Sequence, residues 1–242
     1  MLGMDEKVSL LVEWMRRQAE EAGARGGVFG VSGGVDSALV LALSVRAWPG
    51  NCLGLVMPCH SQPQDAEDAI ELLNLFRCPY ELVDLTEVYD VFLSKLPASE
   101  SPSLALARAN LKVRLRMVTW YYFANLKGYL VVGTGNRDEV YVGYSTKYGD
   151  SAADIMPLAG LTKGEVREMA RHLGVPDKIV DKPPTAGLWK GQTDEGEMGL
   201  LYKDIDAYLL GKEVPSEVAK KIEDRHRASE HKRRMPPFPV LD

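Results

Sequence analysis

The stretch Val28-Phe29-Gly30-Val31-Ser32-Gly33-Gly34-Val35-Asp36-Ser37-Ala38-Leu39-Val40 constrains the fold more than any other part of the chain. An apolar run broken by one glycine leads into a small polar turn. An apolar, helix-favouring run from Ala38 to Ala47 follows. That order predicts a buried strand, a tight loop and a helix. The loop then stands at the carboxyl end of a strand, where open α/β sheets bind ligands. Gly33 and Gly34 permit positive φ and close approach of backbone to a ligand. Successive N–H groups at the helix start converge on an anion and carry the positive end of the helix dipole. Ser32 and Ser37 add hydroxyl donors. Asp36 would repel a phosphate unless a cation lies between, so it predicts Mg²⁺, which one or two carboxylates hold together with phosphate oxygens.

The loop is not a Walker A sequence, which needs G-x-x-x-x-G-K-[ST]; no lysine is present here. The hexapeptide Ser32-Gly33-Gly34-Val35-Asp36-Ser37 instead resembles the pyrophosphate loop of the ATP-pyrophosphatase enzymes. That resemblance implies cleavage of ATP between its α and β phosphates and adenylation of a substrate.

Around this unit the pattern alternates. Asp5 to Ala22 reads as an amphipathic helix with Val8, Leu11, Trp14 and Met15 on one face. Cys52 to Met57 reads as a buried strand closed by Pro58, Gln64 to Phe76 as a helix, and Tyr80 to Leu85 as the next strand. This β-α-β-α-β order predicts an α/β fold with a parallel, doubly wound sheet and right-handed crossovers. Thr86 to Leu96 reads as a short helix, Leu104 to Lys127 as a long one, and Tyr129 to Val132 as another buried strand.

A second glycine-containing loop, Gly133-Thr134-Gly135-Asn136-Arg137-Asp138-Glu139, follows that strand. Two such loops on neighbouring strands would frame one crevice. Thr134 can bond a nucleotide there, and Glu139 is a second carboxylate for Mg²⁺. Residues 141–157 are polar and irregular, with Lys147, Asp150 and Asp154 close together, and loops of this kind carry function. Thr162 and Glu165 form a predicted capping box for a helix running to His172. The glycine- and proline-bearing segment 182–199 is of a length expected of a lid or of a disordered loop. Helices are predicted over 200–210 and 216–228 before the basic, proline-stopped end at His231-Lys232-Arg233-Arg234. Arg108, Lys112, Arg114 and Arg116 make the long helix locally basic, as a solvated face or as an anion-facing row.

The chain has 242 residues, 45% hydrophobic and 26% charged, and a net charge of -5. It is long enough to bury a sizeable core. Its charge gives no indication of general nucleic-acid affinity. No stretch approaches the roughly 20 apolar residues that span a bilayer, so no membrane partner is expected. The start, MLGMDEKVSL, has neither a basic nor an apolar leader region, so no signal peptide is expected. Cys52, Cys59 and Cys78 form no C-x-x-C pair and fit a reducing compartment, so a cytoplasmic setting is expected. No linker or repeat divides the sequence, so residues 1–242 are expected to form one domain.

The motifs SGGVDS, GTGNRDE, STKYGDSAAD, the P-L-x-G-L-T-K of residues 157–163, K-P-P-T at 182–185 and the terminal His231-Lys232 occur in one order. Together they resemble the ammonia-dependent NAD synthetases over nearly the whole chain. The resemblance implies an adenine nucleotide alpha hydrolase-like, three-layer α/β/α fold. It implies amidation of deamido-NAD by ammonia through an adenylated intermediate, with release of AMP and pyrophosphate. It implies ATP binding by Gly30, Val31, Ser32, Gly33, Gly34, Val35, Asp36, Ser37, Thr134, Lys163 and Thr185, and Mg²⁺ ligation by Asp36 and Glu139. It further implies deamido-NAD binding by Arg114, Lys147, Asp154, His231 and Lys232. Arg114 and Arg116 are rivals for one role, and Arg114 is taken on its distance from Thr134. Asp150, between Lys147 and Asp154, is the residue expected to hold ammonia. A homodimer is implied as well, and the apolar residues spread around the long helix (Leu111, Leu115, Val118, Trp120, Tyr121, Tyr122, Phe123) agree with it. One departure is Met198, where relatives resemble D-E-x-E-L-G; methionine keeps leucine's size and polarity. A tRNA thiolase or the synthetase part of a GMP synthase is the nearest rival, and thiolases typically need cysteines paired or placed near the loop.

Overall fold

In the computed structural model, residues 2–185, 187, 189 and 191–239 are described. Four strands form one parallel sheet: β1 (Gly27–Gly30), β2 (Cys52–Val56), β3 (Tyr80–Leu82) and β4 (Leu130–Val131). Their order is β3-β2-β1-β4. Register pairs Gly27 with Cys52 on one side of β1 and with Leu130 on the other. The chain leaves β1 toward β2 on one side and returns later as β4 on the other. The switch point therefore falls between β1 and β4, where doubly wound sheets open a ligand crevice at their carboxyl ends. A parallel bridge from Val132 to Ile155 extends the sheet past β4.

One face is covered by α1 (Met4–Glu21), α2 (Val35–Ala47), α3 (Pro63–Leu75), α7 (Lys163–His172) and α8 (Asp177–Val180). Helix α2 lies between the sheet and other helices, so its run from Ala38 to Ser44 is buried on every side. That is why it reads as continuously apolar rather than striped. The other face is covered by α4 (Thr86–Ser94) and α5 (Leu104–Lys127), which pack Tyr89, Leu111, Leu115, Trp120, Tyr121 and Phe123 toward Val28, Leu53, Leu55 and Val131. The result is the expected three-layer α/β/α arrangement. A third cluster joins α6 (Arg137–Val142), α9 (Asp194–Met198), α10 (Tyr202–Leu209) and α11 (Ser216–Ala228) through Val142, Met198, Ile205 and Ile222. Met198 is fully buried there, so its leucine-like bulk is used. No helix among the described residues is long and apolar enough to cross a membrane.

Element boundaries largely follow the sequence pattern, with informative exceptions. Helix α2 begins at Val35, three residues before the apolar run, and so takes Asp36 and Ser37 into its first turn. Helices α6 and α9 lie in segments whose sequence reads as loop; each is short and is started by a polar cap, Asn136 and Thr193 respectively. Most of the apolar residues around α5 serve this chain's own core. Leu106, Val118, Tyr122 and Leu126 remain exposed.

Candidate active site

The cleft at the carboxyl ends of β1 and β4 is lined by Gly30 to Ser37, by Thr134 and Glu139, by Asp150, by Lys163 and by Lys182 to Thr185. All of the expected nucleotide residues therefore meet in one place, together with both expected metal carboxylates and Asp150. Gly33 has φ +77°, and a Cβ there would lie 2.8 Å from the Asp65 carbonyl oxygen. The turn thus needs glycine both for its backbone and for the passage of α3. Ser37 ties the loop to itself: its hydroxyl accepts from the Ser32 N–H at 3.1 Å and donates to the Gly34 carbonyl at 2.9 Å.

Across the crevice, α6 is capped by a box in which Asn136 Oδ1 accepts from the Glu139 N–H at 3.0 Å and Glu139 Oε2 accepts from the Asn136 N–H at 3.2 Å. Helix α7 begins with the predicted box of Thr162 and Glu165. Its first residue, Lys163, is buried, and its ammonium is paired with Asp36 and lies 3.5 Å from Glu139 Oε1. Burial works against that charge, but Asp36 and Glu139 more than offset it and hold the ammonium protonated well above the usual lysine range. Burial, then the nearby charge of Asp36, pushes the Glu139 carboxyl up to about 7. Two carboxylates thus face one cationic centre beside a phosphate-type loop.

That donor set fits Mg²⁺. Asp36 and Glu139 would offer hard carboxylate oxygens, and two protein ligands are fewer than Mg²⁺ coordinates. This leaves coordination positions for phosphate oxygens, as Mg²⁺ requires.

The segment 182–199, expected as a lid, is tied down near both ends among its described residues. Lys182 Nζ donates to Asp65 at 2.8 Å and to Asp68 at 3.0 Å, both on α3. At the far end, Asp194 of α9 accepts from the hydroxyls of Tyr144 at 3.1 Å and Tyr202 at 3.2 Å. The Tyr202 hydroxyl also lies 3.1 Å from Glu139 Oε1, and its ring is 4.7 Å from the Lys163 ammonium. Sequence reading missed Asn136, Lys182, Asp194 and Tyr202 as site residues. Asn136 carried a local signal, an N-x-x-E cap ahead of a short apolar run, and Lys182 and Asp194 open the K-P-P-T and D-E-x-E motifs, whereas Tyr202 carried none.

Arg114, Lys147, Asp154, His231 and Lys232 do not line this cleft. Four of them gather instead around residues 143–147, next to Tyr144, which lines the cleft. Exposed Arg114 donates to the Lys147 carbonyl at 3.1 Å, Lys147 Nζ lies 3.4 Å from His231 Nδ1, and Lys232 Nζ donates to the carbonyls of Gly143 at 2.7 Å and Ser145 at 2.6 Å. Asp154 stands apart from them, accepting from the Val131 N–H at 2.7 Å and the Tyr121 hydroxyl at 3.2 Å. Asp150 accepts from the Thr146 N–H at 2.6 Å, and burial pushes its carboxyl up. Of the two rival arginines, Arg116 lines the cleft and Arg114 does not.

Known proteins resemble this chain in sequence and in fold. A family model described as NAD synthase matches residues 7–236. The NH(3)-dependent NAD(+) synthetase of Carboxydothermus hydrogenoformans is 50% identical over 238 residues, covering 98% of each chain. The solved NMN synthetase from Francisella tularensis superposes with a TM-score of 0.93 at 38% identity, covering 100% of each chain. The NH3-dependent NAD synthetase from Campylobacter jejuni, solved with nitrate, superposes with a TM-score of 0.80 at 28% identity, covering 99% of this chain and 100% of that one.

Proposed function

The chain belongs to the NAD synthase family, and from that membership we propose that it makes NAD from deamido-NAD, ATP and ammonia, releasing AMP and pyrophosphate. The observation that carries the reading is the convergence of Asp36, Glu139 and Lys163 on the pyrophosphate-type loop.

A carboxylate does not accept an amine directly, because oxide is a poor leaving group. In the proposed first step a carboxylate oxygen of deamido-NAD bonds to the α-phosphorus of ATP. The bond from that phosphorus to the bridging oxygen breaks, and pyrophosphate leaves with the electron pair. The loop N–H groups and the hydroxyls of Ser32 and Ser37 receive the departing charge, and Lys163 moves its ammonium from Asp36 and Glu139 onto the phosphates. Thr134 and Thr185 flank the nucleotide. Asp36 and Glu139 would hold Mg²⁺, which supplies charge neutralisation at the phosphates when bound.

In the second step ammonia nitrogen attacks the acyl carbon, the bond from carbon to the phosphate oxygen breaks, and AMP departs. The nitrogen sheds a proton. Asp150, whose carboxyl burial makes more basic, would hold ammonium and take the proton whose loss frees ammonia, while the proton shed on amide formation passes to solvent. Arg114, Lys147, His231 and Lys232 around residues 143–147, with Asp154, are assigned to the dinucleotide. Lys232 does this in part by pinning the Gly143–Ser145 carbonyls. Residues 1–242 act as one catalytic unit in a cytoplasmic homodimer, the partner covering the exposed α5 face.

Incubation with ATP, Mg²⁺, deamido-NAD and an ammonium salt tests this reading. NAD, AMP and pyrophosphate should appear in equal amounts, with little product when glutamine replaces ammonium. Absence of NAD, or efficient use of glutamine by the isolated chain, would refute it. A second reading, amidation of the acid mononucleotide to NMN, is favoured by the full-length superposition on the Francisella protein. The ratio of kcat/KM for the two acids decides between them.

A further inference from the structure

Among the described residues, three cations line the cleft: Lys163, Lys182 and Arg116. Two of them are in ion pairs, Lys163 with Asp36 and Glu139, and Lys182 with Asp65 and Asp68. Arg116 lies within 4.0 Å of no carboxylate oxygen among the described residues. Its guanidinium is nevertheless anchored: Nε donates to the Met57 carbonyl at 3.1 Å, and Nη2 donates to Ser61 Oγ at 3.3 Å. Met57 follows β2 and Ser61 precedes α3, so the group is fixed at the carboxyl edge of the sheet. Those two bonds use only part of the five-donor fork, and Nη1 makes none among the described residues. Asp65 and Asp150 act on this cation only from beyond ion-pair distance; a partly desolvated, immobilised cation without a carboxylate in contact is costly, and the planar fork matches the oxygens of a phosphate.

A second observation points the same way. Trp120 follows Arg116 by four residues, so the two share one face of α5, and both line the cleft. The Trp120 indole N–H is buried and has no acceptor. It is packed so closely on Gly30 that a Cβ there would lie 2.9 Å from Nε1. Trp120 thus holds this wall against the start of the loop, leaving Arg116 Nη1 as its donor without a partner among the described residues. Arg114, two residues earlier, does not line the cleft and is exposed beside Lys147, so the two arginines serve different places.

We propose that Arg116 is the residue of the α5 wall that binds a phosphate oxyanion of the reactants, separate from the pyrophosphate bound by the loop. The assignment rests on the reading that the cleft takes ATP and an acid nucleotide. The phosphate has two sources, the AMP half of ATP or the acid nucleotide itself. In either case the group that remains after pyrophosphate has left keeps a cationic partner that does not depend on Asp36 or Glu139.

Binding is measured by calorimetry for AMP, for deamido-NAD and for inorganic pyrophosphate, with wild type, Arg116→Lys and Arg116→Met. The expected result is a loss of tenfold or more in Arg116→Met for AMP or for deamido-NAD. Arg116→Lys should recover part of that loss, and pyrophosphate affinity should stay within about twofold. A loss confined to AMP names the nucleotide as the source, and one confined to deamido-NAD names the acid. Both ligands binding within twofold of wild type, or pyrophosphate weakened as much as they are, overturns the assignment. A measurement on the unaltered protein guards against misfolded variants: phenylglyoxal should modify Arg116, located by peptide mass, and AMP or deamido-NAD should protect it. Modification that neither ligand slows overturns the assignment too. A wild-type chain that binds none of the three ligands sinks the proposed function, and this assignment with it. Normal binding that is indifferent to Arg116 sinks this assignment alone.

Discussion

Asn136 donates its side-chain amide to Asp36 at 2.9 Å, across 100 residues of sequence. The same side chain caps α6 by accepting from the Glu139 N–H at 3.0 Å. One fully buried asparagine thus fixes both carboxylates proposed for Mg²⁺, one on each side of the crevice. Truncating it leaves the cap N–H and an Asp36 oxygen without their partner. Asn136→Ala should therefore cost about 1–3 kcal/mol of stability and raise the Mg²⁺ concentration needed for half-maximal activity. Thermal melts and a Mg²⁺ titration check this. An unchanged Mg²⁺ requirement in the folded variant would separate Asn136 from the metal carboxylates.

The carboxylates themselves should be indispensable to rate and dispensable to fold. Asp36→Asn and Glu139→Gln keep shape and remove charge. Each should lower turnover by about two or more orders of magnitude, because phosphate charge is left uncompensated. Circular dichroism should stay unchanged. Near-normal turnover of both variants at saturating Mg²⁺ would remove the metal assignment.

Asp138, next to Glu139 and fully buried, predicts a pH dependence of stability. Burial, followed by the neighbouring Asp206, pushes its carboxyl from 3.8 up to about 8. The folded protein keeps a proton that the unfolded chain surrenders. The contribution is fully present below 3.8 and is lost as pH rises toward about 8. The slope from this one group is at most about 1.4 kcal/mol per pH unit. Urea unfolding of the metal-free protein in steps across that window should show falling stability. Asp138→Asn, which mimics the protonated acid, should show a shallower fall. Equal slopes in the two proteins would contradict the assignment.

Much of this arrangement was legible in the sequence, and the limits have physical causes. The loop from Gly30 to Ser37 and the Thr162–Glu165 cap are local devices, and the structure keeps them where the sequence puts them. Helix α6 has the same kind of cap in Asn136 and Glu139, but with only six residues it shows too little periodicity to read as a helix. Lys182 reaches Asp65 across 117 residues, and Tyr144 reaches Asp194 across 50. Partners that far apart leave no mark on spacing. Arg114 and Arg116 are alike in composition and neighbourhood; only the rotation of α5 sends one to Lys147 and the other to the cleft. The apolar surplus on α5 was legible, but most of it turned out to be core.

What remains of that surplus predicts assembly. Val118, Tyr122 and Leu126 are 60%, 62% and 63% exposed on one helix, a surface that a second copy would bury. Obligate interfaces often bury about 2,000 Å² or more. Sedimentation at micromolar concentration should give twice the chain mass of 26.7 kDa. Val118→Asp combined with Tyr122→Asp should give the single mass with reduced turnover of deamido-NAD. A wild-type monomer working at full rate would exclude the dimer.

The central claim is that the cleft joins a carboxylate to the α-phosphorus of ATP before nitrogen arrives. Oxygen isotope transfer tests it most directly. Deamido-NAD labelled with ¹⁸O in its carboxylate is turned over with ATP, Mg²⁺ and ammonium, and the AMP is weighed by mass spectrometry. Adenylation followed by ammonia attack at the acyl carbon breaks the carbon–oxygen bond, so each AMP should carry one labelled oxygen. AMP without label, or ADP and phosphate in place of AMP and pyrophosphate, would contradict it.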